Sequence, residues 1–541
     1  MLLLRRVIER GLVNNLNMTK LSDVNSTDIV DAIKLGCRTM CNVFNRDDDN
    51  IPYGGAKVRP DAVLSISSES HIPGRHLDAL LNAEDAVNVD VSETCINNHE
   101  RAAFLSYSGS VSLPCHRSEQ QLPLNVFEEH NVREGFHALT ALVRFRQSDR
   151  ARLIGDASIA FILEHWDLVN EWDDDRLQKN HKLSVIKSPS FISGLARSIG
   201  ALVKYYRATD YEPALNLANL LRDKCIQEFF NDDGVYDAAK FGPHCHSTTC
   251  VMSSLAQLSY VTNDRALLER VKAFYDNGLW KIRNELGWSP ESSDPQDNSG
   301  RGEVNNTGDI IETAMILARF GYSEYYEDAE KMLRGHLLPS QLRDISFIEE
   351  TFNSDGVDGK RDVANRLRGS FGFPAPYGHE PFGIMQSNKP RVGFNPDIVG
   401  GVVSSLVESF KEIHRLDQRG HWVNMLFDHE NKNIKIQSPY TNDHIGVMLK
   451  TPSPVFLRIP SWVNRRDIKI RGKDEILSFN NEYLYLKDLP VGEFITIEFP
   501  LIERHVTIKH GGSGELRAKL FGDQVIAMDN LGADLTFFDD L

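Results

Sequence analysis

Apolar and polar residues recur to about residue 430 in the 3.6-residue rhythm of amphipathic helices, broken by four similar joins. These are FRQSDRARLIGDA at Asp149, YRATDYEPALNLA at Asp210, VTNDRALLERVKA at Asp264 and FGYSEYYEDAEKM at Glu324, spaced 61, 54 and 60 residues apart. Each carries a Ser, Thr or Asn next to an acidic residue between two amphipathic runs, the chemistry that ends one helix and caps the next. The pattern predicts repeated helical hairpins. Neither helix of such a unit can bury its apolar stripe alone, so the hairpins must stack into an open solenoid or a closed ring. The loops at 286–308 and 368–401, rich in Gly, Pro, Asp, His and aromatics, are the expected pocket builders.

Near residue 430 the period changes to two. KNIKIQSPY, VFLRIPSWV, DIKIRG, EYLYLKDL and EFITIEFPL are short alternating runs separated by turn residues, which predicts an antiparallel β-sandwich. The expected division is a helical domain over 1–429, a β-sandwich over 430–510 and a tail over 511–541. The tail either crosses back to the helices or is loosely held. Residues 1–125 read as helices with long polar loops.

Composition narrows the function. A chain of 541 residues exceeds a single ordinary core, and a formal charge of −16 without a basic stripe argues against nucleic acid. No apolar run is long enough for a membrane span, and Arg5 and Arg6 interrupt the opening Leu2–Leu4, so neither a signal peptide nor a span is expected. Seven scattered cysteines are an odd set, unlike a disulfide framework, and a reducing cytoplasm is the expected compartment. A neutral or locally recognised ligand fits this balance; homo-oligomerisation is left open.

The β-domain phrases LRIPSWV and EYLYLKDLPVGEFITIEFPL, with HCHSTTC, GWSPE, GEVNNTGDI and FGYSEYYEDAEKMLRGHLLPSQL earlier, resemble the β-L-arabinofuranosidases of glycoside hydrolase family 127, in the same order, over roughly residues 130–505. The resemblance implies an all-α toroid, a six-hairpin α/α barrel, plus a C-terminal antiparallel β-sandwich, with the active site in the mouth of the ring. It also implies a glycoside hydrolase acting on a carbohydrate. The zinc-dependent members of that family carry Glu-x-Cys and a later Cys-Cys. Here the first motif reads Glu303-Val304-Asn305 and the second aligns with Phe394-Asn395. Three thiolates are missing, a set of Glu and Asn holds zinc poorly, and no metal or cofactor is expected.

Without thiolates, glycosidic hydrolysis reduces to a carboxyl pair, one group protonating the leaving oxygen and the other activating water or attacking the anomeric carbon. Glu291, after an aromatic-Pro turn, is the candidate acid. Glu303 is the candidate base or nucleophile, with Asp397 in reserve. Either glutamate could instead cap a helix or pair with Arg301, and Asp309 reads as a helix-entry charge. His244 and His246 are expected to bind sugar hydroxyls, the spacing of HCHSTTC being poor for a metal. Asn305 and Asn395 are assigned to substrate binding, as are Trp288, Tyr377 and His379, an aromatic and polar platform for a sugar ring. Trp288 could equally staple its loop to the ring. A polysaccharide lyase acting on uronic-acid glycans, with a Tyr, His or Lys base, and a non-catalytic carbohydrate-binding relative are the rival readings.

Overall fold

The computed structural model describes residues 18–118, 123–297, 299–382, 390–472, 477–510 and 514–541. The opening that decided the signal-peptide expectation, and most of the GGSG stretch at 511–514, lie outside these residues. Twelve helices build the ring: α1 (Ile29–Met40), α2 (Ile72–Val87), α3 (Glu93–Ser106), α4 (Asn131–Arg146), α5 (Asp149–His165), α6 (Ile199–Thr209), α7 (Glu212–Glu228), α8 (Cys245–Thr262), α9 (Arg265–Asp276), α10 (Val304–Arg319), α11 (Tyr325–Met332) and α12 (Pro396–Ile413). The even-numbered helices pack side by side in the cycle α2, α4, α6, α8, α10, α12 and back to α2, forming a closed inner ring. Each leans outward on an odd-numbered partner. The sixth hairpin is assembled from opposite ends of the helical region, α12 against α1.

The joins work as their residues require. Gln147, Asp210 and Asn263 end inner helices in the left-handed conformation. Ser148 and Asp264 then accept from the backbone N–H of Ala151 and Leu267, capping the outer helices. The fourth join uses Gly321 at φ +110° before Glu324.

Residues 1–125, read as helices and polar loops, also supply strands. β1 (Ile51–Arg59) and β2 (Val63–Ser67) form an antiparallel hairpin, and β1 pairs on its other edge with β3 (Val392–Phe394). Cys41 and Cys95 are joined as a disulfide and the other five cysteines are free and buried.

Strands begin at His414, ahead of the period change at 430. One sheet contains, in spatial order, β4 (His414–Asp417), β5 (Gly420–Val423), β9 (Val455–Arg458), β12 (Tyr483–Leu486) and β11 (Ser478–Asn480). The second contains β6 (His429–Glu430), β7 (Ile434–Gln437), β8 (Ile445–Leu449), β13 (Phe494–Glu498) and β10 (Lys469–Ile470). All contacts within them are antiparallel except β5 with β9. A buried ionic knot locks this unit to the ring: Glu330 of α11 accepts from Arg334 at 2.9–3.0 Å and from Arg458, the arginine of LRIPSWV.

The tail crosses back. β14 (Glu503–Lys509), β15 (Glu515–Phe521) and β16 (Gln524–Met528) form a third sheet, and Leu516, Leu520, Leu535 and Phe537 enter a second core with Leu21, Tyr53, Tyr377 and Phe394. Among the described residues no helix is long and apolar enough to cross a membrane.

Candidate functional site

The residues flanking the starts of the inner helices are rich in histidine, arginine and carboxylates. His71, His130, His244, Glu303 and Asn395 are the N-caps of α2, α4, α8, α10 and α12. None makes a side-chain cap, which leaves these groups free for one another. One turn into the ring come Arg75, Arg133, Arg197 and His246.

Four predicted residues meet directly. Glu303 Oε1 lies 3.1 Å from His246 Nδ1, and Glu303 Oε2 lies 3.3 Å from His244 Nε2. Asn305 Nδ2 donates to Glu303 Oε1 at 3.4 Å. Burial, reinforced by Arg197 and Arg133, holds His246 neutral well below the usual imidazole range. Its Nε2 lies 3.5 Å from Asp309, whose carboxyl burial and Glu312 push well above the carboxylate range and to which Thr249 donates. Asp309 is thus a hydrogen-bonding group of the ring interior whose protonated form burial favours, and not only the helix-entry charge its sequence position predicted.

Asp397, on the first turn of α12, lies 3.3 Å from His71 Nε2, while His71 Nδ1 donates to Asn131 Oδ1 at 2.8 Å. Asn131 is held in that orientation because its Nδ2 donates to Ser70. Two acceptors require protons on both nitrogens of His71. Burial opposes that charge, but Glu134 and Asp397 outweigh it and push His71 up to about 9. Asp397 is correspondingly held ionised: burial would raise it, and His71 lowers it. Deeper in the ring, Glu134 is fully buried and ionised against Arg133 and Arg75.

Glu291 is positioned by a different route. Pro290 bridges Gly302, Glu291 N–H donates to Arg301 at 2.9 Å and Glu303 N–H donates to Ser289 at 3.2 Å, so the loop folds back on itself as two short antiparallel segments. The pairing sets Glu291 and Glu303 on the same face, diagonal to one another. Glu291 is 24% exposed and lies 3.5 Å from Arg301. The predicted pairing with Arg301 is therefore present.

Other expectations are placed elsewhere. Trp288 is 3% exposed and donates to Pro374 O at 2.9 Å, against His510; it staples the loop and offers no face to a ligand. Tyr377, 1% exposed, accepts from the Phe382 N–H, and His379, 4% exposed, packs between Phe394 and Phe537. Their rings fill the second core and do not line the mouth, because the returning tail covers them. Asn395 borders the mouth cavity. Asp294 is exposed and turns its own loop.

His244, His246 and Glu303 bring three ligand-type atoms within 4.8 Å. The set does not suit a divalent ion: guanidinium groups of Arg197 and Arg75 lie 3.3 Å from the two nitrogens of His246, placing positive charge where the ion would sit. Where the resembled family has thiolates stand Asn305, the buried Phe394 and Asn395.

Sequence reasoning missed His71, His130, Arg75, Arg133, Glu134 and Arg197. A signal existed: SHIPGR and EHNVR each place an arginine in the first turn of an inner helix, and SGLAR places one in the short turn that leads into another. It becomes visible only once those helices are known to share a ring.

The fold and mouth together define the class: a six-hairpin α/α toroid carrying a β-sandwich. No family model matches the sequence, and no curated protein matches it. Among solved structures the chain is similar to a GH127 β-L-arabinofuranosidase from Geobacillus stearothermophilus T6, at 12% identity and TM-score 0.55 over 92% of this chain and 80% of that one. It is likewise similar to a second GH127 β-arabinofuranosidase, at 14% identity and TM-score 0.56 over 93% and 83%, and to a glycoside hydrolase at 12% and 0.55 over 90% and 84%. At these identities the likeness is one of fold.

Proposed function

We propose that this protein is a glycoside hydrolase acting on a terminal glycosidic bond with a carboxyl pair and no resident metal. Glu291 protonates the leaving oxygen, and Glu303 activates water or attacks the anomeric carbon. What supports this reading is the folded-back loop, whose antiparallel pairing turns both glutamates to the same side although twelve positions separate them. His246 and Asn305 hold Glu303 in one orientation, and orientation is what a base or nucleophile needs before its basicity matters. Asp397, ionised beside His71, is the reserve carboxylate. The solved structures of similar fold are named as glycoside hydrolases, which supports a carbohydrate substrate. Elimination is less well served, because the hydroxyl of Tyr377 is buried in the second core.

The test is Glu291→Gln. Turnover of a natural disaccharide should fall by about two orders of magnitude or more, and turnover of an activated aryl glycoside by less, because only the poor leaving group needs the proton. Glu303→Gln should depress both alike. Normal disaccharide turnover in Glu291→Gln would remove Glu291 from the acid role.

A further inference from the structure

A cavity of about 630 Å³, within the range of small-molecule sites, lies over the helix starts at His71, His130 and Asn395, and its walls differ in character. One wall is polar, with His71, Asn131, His130 and Glu128. The other is the β1–β2 hairpin, where Gly54 and Gly55 leave bare backbone and Ile66 projects an aliphatic side chain. We propose that this hairpin is a second sugar subsite, adjoining the one where the bond is cleaved, with Ile66 packing against the apolar face of the neighbouring ring. The natural substrate is then at least a disaccharide. This rests on the glycosidase reading of the mouth.

Two linked observations single out Ile66. Strand alternation would turn it to the same side as Leu64, which is 2% exposed, yet Ile66 is 76% exposed. The reversal comes from its backbone: φ is +61°, the left-handed region that β-branched residues avoid. It sits opposite Gly54, between the register pairs Tyr53–Ser67 and Gly55–Ser65. A strained conformation that exposes an apolar side chain to a cavity needs a compensating use. A sugar ring, with a C–H face and a hydroxyl rim, matches one apolar and one polar wall.

Gly55 gives a second handle. A Cβ there would meet the Ser65 hydroxyl at 3.4 Å, the Ser65 carbonyl oxygen at 3.6 Å and Asn395 Oδ1 at 4.0 Å, ordinary contact distances, and its backbone lies outside the left-handed region. A larger side chain is therefore tolerated by the fold and would intrude on the subsite. Ile66→Gly and Gly55→Leu are compared with wild type on a disaccharide or trisaccharide and on an activated aryl glycoside of the terminal sugar, with Val169→Ser, at an exposed position remote from the mouth, as a control. The ratio of kcat/KM for oligosaccharide to that for aryl glycoside should fall about tenfold in both variants. In Ile66→Gly the loss should reside in KM, and the thermal midpoint should not drop, because strain is relieved. An unchanged ratio in both variants, with wild-type turnover intact, overturns the subsite alone. A wild-type protein that cleaves no glycoside overturns the glycosidase reading and the subsite with it.

Discussion

His71 shows how one side chain couples the mouth to stability. Its folded value of about 9 exceeds the ordinary 6.5, so its contribution is complete below pH 6.5 and is lost as the pH rises through 9. Asp397, depressed by the same pair, contributes above the ordinary carboxylate range and loses its contribution on acidification. Urea unfolding of His71→Asn should show a deficit of about 1–3 kcal/mol at pH 6 that closes as the pH passes 9. A deficit independent of pH would mean that His71 acts through packing alone. The sequence offered Asp397 only as a reserve carboxylate and not its partner, because the histidine it faces lies 326 positions away.

At the scale of elements, the mouth depends on how closely inner helices approach. A Cβ on Gly74 of α2 would lie 1.8 Å from the carbonyl oxygen of Glu134 on α4, a backbone atom that cannot swing away. Gly74→Ala should cost about 2 kcal/mol or more in urea unfolding. It should also lower turnover, because α4 carries Arg133, Glu134 and Asn131. Wild-type stability in this variant would show that the helices separate freely. The joins at Asp149, Asp210 and Asp264 were readable because a left-handed residue followed by a cap is local chemistry. The β1–β2 hairpin was not, since β1 takes its outer partner from residues 392–394, and nothing near Ile51 announces that strand.

At the scale of the molecule, the returning tail governs the loops around the site. Leu535 is fully buried, Phe537 N–H donates to Tyr377 O, and Asn284, which anchors the loop leading to Glu291, donates to Lys509 O at 3.1 Å. Leu535→Ala should therefore cost about 2–5 kcal/mol in urea unfolding although it lies in the last turn of the chain. A cost near zero would mean that the tail merely rests on the ring. This packing is also why Trp288, Tyr377 and His379 failed to form the expected platform. In sequence they look like exposed loop aromatics, and the strands that bury them come more than a hundred residues later.

The sequence by itself determined the helical hairpins, their caps, the change to strand period and the absence of the thiolate set, because each is a property of residues within a turn or two of one another. It also placed Glu291 and Glu303 on a loop able to fold back, since Gly, Ser and Pro permit that locally. Tertiary structure alone decided which helix starts come together, that α12 closes the ring against α2 and takes α1 as its outer partner, and that Ile66 faces a cavity. Those outcomes depend on burying apolar stripes between segments hundreds of residues apart, and on a backbone strain that the rest of the fold sustains.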